Sequence, residues 1–190
     1  DQTAAEVDRG ALEREVGEDD LGREADAVAE HLVARRDLFD GPCDVGQQGD
    51  KVFVSTADAQ KQLSLICLDR KTGKEAWRFY TVPGPGEAGH ETWEACPPNS
   101  AGLCDPEGWK HGGGSVWVTG SYDPDLNLTY WGTGNAGPWI GDARPGDNLY
   151  ANSVIALDAD TGALKGYHQY HWNDSWDWDE VAAPLLVDIK

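Results

Sequence analysis

Positive charge is scarce in this chain of 190 residues. It has 15 Lys and Arg against 34 Asp and Glu, which gives a formal net charge of −19 at pH 7. A nucleic-acid partner is disfavoured, because phosphate binding needs a basic surface. Long apolar runs are lacking too, and none approaches the roughly 20 residues of a membrane-spanning helix. The N-terminus lacks the charged-then-apolar pattern of a signal peptide. The sequence therefore predicts neither a transmembrane segment nor a signal peptide in this chain.

Cysteine is infrequent, and its spacing excludes the common zinc motifs. The four residues are Cys43, Cys67, Cys96 and Cys104, with no C-x-x-C pair among them. Cys96 and Cys104 bracket a loop rich in Pro, Gly and Asn. They can form a disulfide in an oxidising compartment, and a pair of free thiols is an equal alternative.

The acidic residues are concentrated at the N-terminus. Residues 1–50 hold 15 acidic and 5 basic residues, which is −10 of the total charge of −19. Apolar residues recur there at helical spacing: Leu21, Ala25, Val28 and Leu32. This spacing predicts an amphipathic helix between about residues 20 and 36. We therefore describe residues 1–45 as an acidic N-terminal segment, helical or disordered, and assign it no function.

After residue 50 the pattern changes to that of β-structure. Short apolar runs at residues 51–55 and 63–68 predict strands, and nine Trp residues suit a fold with aromatic seams between sheets. The sequence of residues 68–73 returns in similar form at 157–162, an offset of about two blades at roughly 40 to 50 residues per blade. Each copy contains an Asp-x-x-Thr-Gly turn, in which Asp and Thr side chains bind turn amides and Gly permits a positive φ. We expect an all-β domain over residues 46–190.

Residues 174–179 read Asp-Ser-Trp-Asp-Trp-Asp and alternate at the two-residue period of a β-strand. Asp177 and Asp179 would then share one face, roughly 6.5 to 7 Å apart. Their carboxylates would repel by about 2 to 3 kcal/mol at an effective dielectric of about 20, unless a cation or a proton lies between them. A metal site that also holds a catalytic base is one interpretation. A solvated acidic turn is the other.

Five further motifs follow one another in a defined order. They are Trp-Lys-His-Gly-Gly-Gly-Ser-Val-Trp (109–117), Tyr-Asp-Pro-Asp-Leu-Asn-Leu (122–128), Gly-Thr-Gly-Asn (132–135), Arg-Pro-Gly-Asp-Asn-Leu-Tyr (144–150) and Ala-Leu-Asp-Ala-Asp-Thr-Gly (156–162). Together they resemble the quinoprotein alcohol dehydrogenases, the methanol/ethanol family that uses pyrroloquinoline quinone. The resemblance implies an eight-bladed β-propeller, of which this chain supplies only a few blades. We therefore expect residues 46–190 to be a partial propeller and the chain to be a fragment.

The resemblance also implies roles for individual residues. Trp117 matches the surface on which the planar quinone stacks, with an ordinary core Trp as the alternative. Ser115 matches the hydroxyl that binds a cofactor carboxylate. The amide oxygen of Asn135 matches a metal ligand, with a turn Asn as the alternative.

The two carboxylates acquire separate roles by the same comparison. Asp177 matches the carboxylate that takes the proton of the substrate hydroxyl. Asp179 matches the additional carboxylate of the lanthanide-dependent branch, so the implied metal ligands are Asn135, Asp177 and Asp179. A trivalent ion favours more anionic oxygen ligands than Ca²⁺ does, which favours a lanthanide and leaves calcium as the alternative. The metal-binding Glu of the family has no match in this chain.

Two structural expectations follow from the same family pattern. The family places a Trp after the Asp-x-x-Thr-Gly turn to dock neighbouring blades. Trp77 fits that role, whereas Gly166 occupies the equivalent position in the second copy and predicts a looser junction. In addition, residues 116–121 are predicted to pair with residues 128–133, and residues 184–188 form a strand-like run.

The implied activity is oxidation of a primary alcohol to an aldehyde, with pyrroloquinoline quinone and a metal ion as cofactors. Cytochrome c as electron acceptor and a periplasmic location follow from the family alone. The alternative is a non-enzymatic propeller scaffold of the outer-membrane assembly type, which shares the Asp-x-x-Thr-Gly repeats. Such a scaffold needs neither Trp117 nor the carboxylates of Asp177 and Asp179. A fragment without function is a third possibility.

Overall fold

Eight β-strands and three short 3-10 helices make up the regular structure of the described part of the chain. The computed structural model describes residues 47–57, 63–98, 100, 102–111 and 113–189. The strands are β1 (Gln47–Gln48), β2 (Lys51–Ala57), β3 (Leu63–Asp69), β4 (Glu75–Tyr80), β5 (Ser121–Asp123), β6 (Leu128–Gly132), β7 (Ser153–Asp158) and β8 (Leu164–Gln169). The 3-10 helices are His90–Thr92, Gly108–Lys110 and Gly141–Ala143.

The strands form two four-stranded antiparallel sheets. Each sheet is a meander in chain order, β1-β2-β3-β4 and β5-β6-β7-β8. A four-stranded meander is the unit of a β-propeller blade. The strands predicted at 51–55 and 63–68 are confirmed as parts of β2 and β3.

The main core lies between the two sheets. Phe53 of the first sheet packs against Trp131 of the second, with ring centroids 5.7 Å apart. Ser153, Ile155 and Leu157 on β7 are fully buried, and the residues that alternate with them are only partly buried. This alternation shows that β7 turns one face toward the core. Tyr150, in the long connection before β7, is part of the same core.

The two Asp-x-x-Thr-Gly turns have the same structure. Oδ1 of Asp69 accepts the N–H of Thr72 at 2.8 Å, and Oδ1 of Asp158 accepts the N–H of Thr161 at 3.0 Å. The glycine that closes each turn has a φ of 70°. Hydrogen bonds from the side chains of Thr72 and Thr161, followed by these N–H bonds, lower the pKa of Asp69 and Asp158 from its ordinary value. The turn chemistry predicted from the repeat is therefore confirmed.

Trp77 connects the first sheet to the second. Its Nε1 donates to Ala159 O at 3.2 Å, and a Cβ atom added to Gly162 would lie 2.6 Å from its ring. Both partners belong to the turn of the second sheet, so the predicted docking role of Trp77 is confirmed. Gly166 differs, since an added Cβ would meet no atom within 4 Å there.

The predicted strand at 116–121 is mostly wrong. Only Ser121–Asp123 forms a strand, and Ser121 pairs with Tyr130. Before Ser121 the ladder is interrupted, because the Cβ position of Gly120 is filled by Tyr130 O and the ring of Trp131. Contact with the chain after β6 resumes where Gly134 N donates to Ser115 O at 2.9 Å.

The strand-like run at 184–188 is not a strand. Leu185 is 90% exposed, and this run has no strand partner among the residues that the structure describes. Apolar composition alone does not make a strand without a neighbour to complete its ladder.

Cys96 and Cys104 form a disulfide, which decides between the two alternatives. Cys67 is a buried free thiol. The predicted helix at residues 20–36, like the whole acidic segment of residues 1–45, lies outside the described residues. Within the part that is described, no helix has the length and apolar character needed to cross a membrane.

Candidate functional site

Trp117 and Asp179 meet over Gly134, just after β6. A Cβ atom placed on Gly134 would lie 2.7 Å from Cζ3 of Trp117 and 2.9 Å from Oδ1 of Asp179. A larger residue there would force the Trp117 ring or the Asp179 side chain to shift, because real Cβ atoms essentially never come so close to other heavy atoms. Trp117 nevertheless remains 55% exposed. Part of its ring thus packs on the Gly134 backbone, and a large part stays open to a ligand. The alternative of an ordinary core Trp does not fit this exposure.

Asn135 belongs to the same contact. Its backbone N–H donates to Oδ1 of Asp179 at 3.3 Å, and its side-chain Nδ2 donates to Ala136 O at 3.2 Å. Among the described residues, no donor is hydrogen-bonded to Oδ1 of Asn135. That amide oxygen is therefore available to a cation. The fold brings two predicted ligands together across 44 positions of sequence.

Ser115 lies two residues before Trp117. Its carbonyl accepts the N–H of Gly134 at 2.9 Å, which joins it to the backbone beneath Trp117. Val116 between them is buried in the main core, while Ser115 is half-buried and Trp117 is exposed. Ser115 is thus adjacent to the Trp117 contact.

The glycine run before Ser115 serves a contact within the protein. A Cβ atom on Gly113 would lie 2.3 Å from the backbone nitrogen of Gly137. Gly114 packs in a similar way on Thr81, at an added-Cβ distance of 3.2 Å. Gly112 is outside the described residues. At these two positions the glycines therefore allow a close approach to other parts of the chain.

The predicted β-strand over residues 174–179 is wrong, because a side chain takes the place of a partner strand. Asp174 is 5% exposed, and its carboxylate accepts the N–H groups of Trp176 and Trp178, both at 3.1 Å. Side-chain bonds of this kind compete with ladder formation. Asp177 between them has a φ of +61°, which breaks the strand alternation. The acidic-turn interpretation describes this backbone better. The approach of the exposed Asp177 carboxylate to Asp179 stays a prediction.

A buried arginine anchors this loop. Arg144 is 2% exposed, and its guanidinium donates to Asn148 Oδ1 at 2.6 Å, to Pro138 O at 2.7 Å and to the carbonyl of Asp174. Burial lowers the pKa of Arg144 from its ordinary value, and the negative charge of Asp174 opposes that effect. Asn173 adds bonds from its Nδ2 to the carbonyls of residues 141, 144 and 146.

The loop is also fixed after Asp177. Asn152 is 1% exposed, and its Nδ2 donates to the carbonyl of Trp178. Its backbone N–H donates to Gly134 O at 2.9 Å, so one residue joins the loop to the Trp117 contact. His171 Nδ1 lies 2.7 Å from Glu180 Oε1, and the His171 ring packs edge-on to Trp178 with centroids 4.4 Å apart.

Sequence reasoning missed the residues that hold this loop: Arg144, Asn148, Asn152, Asn173 and Asp174. The motif at 144–150 gave no role to Arg144 or Asn148. Their signal is weak, since an Arg-Pro-Gly-Asp-Asn stretch also has the composition of an exposed turn. Only the burial of Arg144 identifies it as an anchor.

A groove of about 520 Å³ opens beside the disulfide loop. Its lining includes Pro97, Leu103, Gly141, Pro145 and Asn173. None of the predicted site residues lines it. It shares only Asn173 with the anchored loop.

The predicted site residues combine an exposed aromatic ring with oxygen donors. The described residues contain no group of three or more His, Cys, Asp or Glu side chains placed to hold a metal ion. The assignment of Asn135, Asp177 and Asp179 as metal ligands therefore stays a prediction.

Comparison with known proteins agrees with the propeller architecture. Residues 53–190 match the family model described as PQQ, the glucose/ethanol/alcohol dehydrogenase β-propeller domain. The chain is 46% identical over 146 residues to the quinohemoprotein alcohol dehydrogenase ADH IIB of Pseudomonas putida, covering 74% of this chain and 21% of that protein. It is 34% identical over 151 residues to the lanthanide-dependent methanol dehydrogenase of Methylorubrum extorquens, covering 74% and 25%.

A solved structure gives the same result in three dimensions. The crystal structure of the quinohemoprotein alcohol dehydrogenase from Comamonas testosteroni aligns with a TM-score of 0.59 and 34% identity, over 75% of this chain and 22% of that one. The chain thus spans between a fifth and a quarter of the length of the curated relatives above. It belongs to the glucose/ethanol/alcohol dehydrogenase β-propeller family and forms a fragment of such a propeller.

Proposed function

We propose that this chain carries one wall of the active site of a pyrroloquinoline-quinone-dependent alcohol dehydrogenase, and that the site oxidises a primary alcohol to an aldehyde. The observation that carries the proposal is the meeting of Trp117, Asn135 and Asp179 around Gly134. The membership of the family supports this dehydrogenase hypothesis over a non-enzymatic scaffold.

The residues present fit both cofactors. Gly134 leaves the Trp117 ring lying on bare backbone, with over half of the side chain accessible to a flat ligand. Ser115, beside it, would donate its hydroxyl proton to a carboxylate of the quinone. Asn135 and Asp179 offer an amide and a carboxylate oxygen, which are donors that hard cations prefer. The set is incomplete on this chain, because the metal-binding Glu of the family has no match.

When bound, the quinone would supply the two-electron oxidant and the metal ion would supply a Lewis acid. The chain itself would supply the surface and the base. Trp117 would orient the planar ligand by stacking. The carboxylate of Asp177 would accept the hydroxyl proton of the alcohol as general base.

We further propose a lanthanide in preference to calcium. Asp179 adds a second carboxylate near Asn135, and the resulting negative charge is balanced best by an ion of high charge. A cytochrome c acceptor and a periplasmic location complete the proposal, by analogy with the family. The substrate is proposed only as a primary alcohol, without a particular compound.

A direct test of the cofactor surface uses the quinone and the 190-residue chain. Adding pyrroloquinoline quinone with La³⁺ should quench the fluorescence of Trp117, and Trp117→Ala should lose most of that quenching. Trp139→Ala is the matched control, since Trp139 is also exposed, at 63%. Equal quenching in both variants would contradict stacking on Trp117.

A second test restores the missing parts. Residues 53–189 would replace the matching segment of the quinohemoprotein alcohol dehydrogenase ADH IIB, and the chimera would be purified with quinone and either La³⁺ or Ca²⁺. Asp177→Asn should abolish turnover but keep the quinone absorbance band. Asp179→Ala should lower lanthanide-dependent oxidation far more than calcium-dependent oxidation. Full turnover in Asp177→Asn, or equal losses with both metals in Asp179→Ala, would contradict the assigned roles.

A further inference from the structure

Asp174 binds the backbone on both sides of Asp177. Its Oδ1 accepts the N–H of Trp176 and its Oδ2 accepts the N–H of Trp178, each at 3.1 Å. The two oxygens of one carboxylate therefore bracket the residue assigned as general base. Asp174 itself is 5% exposed and cannot contact substrate freely.

The bracketed residue has a backbone conformation that needs support. Asp177 has a φ of +61°, in the left-handed region that is unfavourable for a residue with a Cβ atom. A conformation of this kind persists when its surroundings over-determine it. Here both flanking N–H groups are held by the two oxygens of one buried carboxylate.

The main chain of Asp174 is in turn held by Arg144. Its carbonyl accepts a bond from Arg144 Nη2, and Arg144 is tied to Asn148 and to the carbonyl of Pro138. The guanidinium uses the main-chain oxygen of Asp174, so the carboxylate oxygens stay available to the two amides.

The far end of the loop is held separately. Asn152 donates to the carbonyl of Trp178, and Asp179 accepts from the backbone of Asn135. Asp177 is thus the exposed residue between two fixed points. No other described residue hydrogen-bonds to its carboxylate, so the backbone position of Asp177 sets the space that this carboxylate can reach.

We propose that Asp174 is the positioning residue of this site: it holds Asp177 in the left-handed conformation that directs its carboxylate to the metal and the alcohol. The proposal rests on the proposed function for the role of Asp177. It adds a residue that acts without touching substrate, quinone or metal.

The backbone part of the proposal is tested by amide hydrogen exchange in the 190-residue chain. Asp174→Ala should speed exchange at Trp176 and Trp178 by about tenfold or more, the loss expected for a bond to a charged acceptor. Asp158→Ala is the matched control, since Asp158 likewise accepts two backbone N–H groups, from Asp160 and Thr161, in a blade turn. Unchanged exchange at Trp176 and Trp178 in Asp174→Ala would overturn the proposal.

The functional part is tested with Tb³⁺, whose luminescence is excited through nearby Trp residues. Lifetimes in H₂O and D₂O count the water molecules on the bound ion. Asp174→Ala should weaken Tb³⁺ binding by about 10- to 100-fold, as for other residues that orient a metal ligand, and add at least about one bound water. Asp158→Ala should leave affinity and water count unchanged. Where Asp174→Ala does not fold, Asp174→Asn serves, and its single carbonyl acceptor should give an intermediate effect.

The outcomes separate this proposal from the proposed function. If Asp177→Asn loses Tb³⁺ while Asp174→Ala keeps both affinity and water count, positioning by Asp174 is overturned and the metal site stands. A smaller folded fraction with an unchanged water count would show a purely structural role, which also overturns it. If wild-type binding of Tb³⁺ does not depend on Asp177, the metal site fails and the positioning proposal fails with it.

Discussion

The two sheets have the same strand order, and they differ in the length and residues of the segments that connect their strands. Both are four-stranded meanders with the same Asp-x-x-Thr-Gly turn, and both lose register at the same point of the repeat, after Cys67 and after Ala156. In the first sheet, only residues 58–62 separate the second and third strands. In the second sheet, residues 133–152 do so, and they carry Asn135 and Arg144. The sheets are the scaffold, and the candidate site is built on three non-strand segments: the one between the sheets, residues 133–152, and the segment after β8.

A second difference lies at the paired positions beside that register shift. The first sheet pairs Cys67 with Trp77, and the second pairs Ala156 with Gly166. The large side chain of Trp77 reaches the turn of the following sheet, whereas Gly166 offers no side chain. The side chain that makes the junction in the first copy therefore has no counterpart in the second copy.

The largest effect is expected from removing the firm junction. Trp77→Ala should lower the free energy of unfolding by about 3 to 5 kcal/mol, because a buried indole is lost from the core between the sheets. Denaturant unfolding followed by circular dichroism measures it. Trp139→Ala, at a 63% exposed Trp, should change stability by less than about 0.5 kcal/mol. A loss below about 1 kcal/mol for Trp77→Ala would show that the sheets are held by other contacts.

Stability should be almost as sensitive to a substitution of Gly162, which contacts Trp77 in that junction. Gly162→Ala should cost about 2 to 4 kcal/mol, because its Cβ would overlap the ring of Trp77 and its φ is positive. The same unfolding measurement applies. Combining it with Trp77→Ala should recover part of the loss, since the overlap disappears. Strict additivity of the two changes would contradict direct packing.

Cys67, the partner of Trp77 in the ladder, should make stability depend on pH. Burial raises the pKa of its thiol from 9.0 to about 11. Folding therefore favours the protonated thiol, so this contribution is complete below pH 9 and is lost as the pH rises through 11. Relative to Cys67→Ala, wild-type stability should fall by about 2 kcal/mol across that window. Parallel curves for the two proteins would contradict the shift.

The smallest effect on stability is expected at Gly166 of the second sheet. Gly166→Ala should be neutral or stabilise by less than about 1 kcal/mol, because its Cβ would enter empty space and the unfolded chain would lose entropy. Thermal unfolding measures this change in stability, and Gly162→Ala is the matched variant for comparison. A loss above about 1 kcal/mol would mean that Gly166 is packed after all.

The repeated parts of this fold were predictable because their signals are local. A strand followed by Asp69 or Asp158 and a closing glycine specifies its own turn through bonds that span only a few residues. The docking role of Trp77 was predictable from the family pattern, which places a Trp after that turn. The meeting of Asn135 with Asp179 was predictable only through the family pattern, since nothing in either segment points to the other.

Two segments were wrongly predicted to be strands, for physical reasons that the sequence does not display. Alternation at residues 174–179 met the strand criterion, but the carboxylate of Asp174 takes the N–H groups that a neighbouring strand would need. Residues 116–120 are kept out of the ladder by the tight packing of Gly120 on Trp131. Arg144 was missed because a charged residue is rarely buried, and its partners are mainly carbonyls from distant loops.

The contact of Trp77 with Gly162 has an evolutionary consequence. The first copy carries the projecting Trp77 and also Gly73, the turn glycine equivalent to Gly162, so a duplicate of this copy would contain both halves of the joint. Lengthening such a chain by tandem duplication needs no newly invented surface. The second copy has Gly166 in place of the projecting Trp. The order of the copies therefore matters: duplicating the first copy would extend the series, whereas duplicating the second would interrupt it.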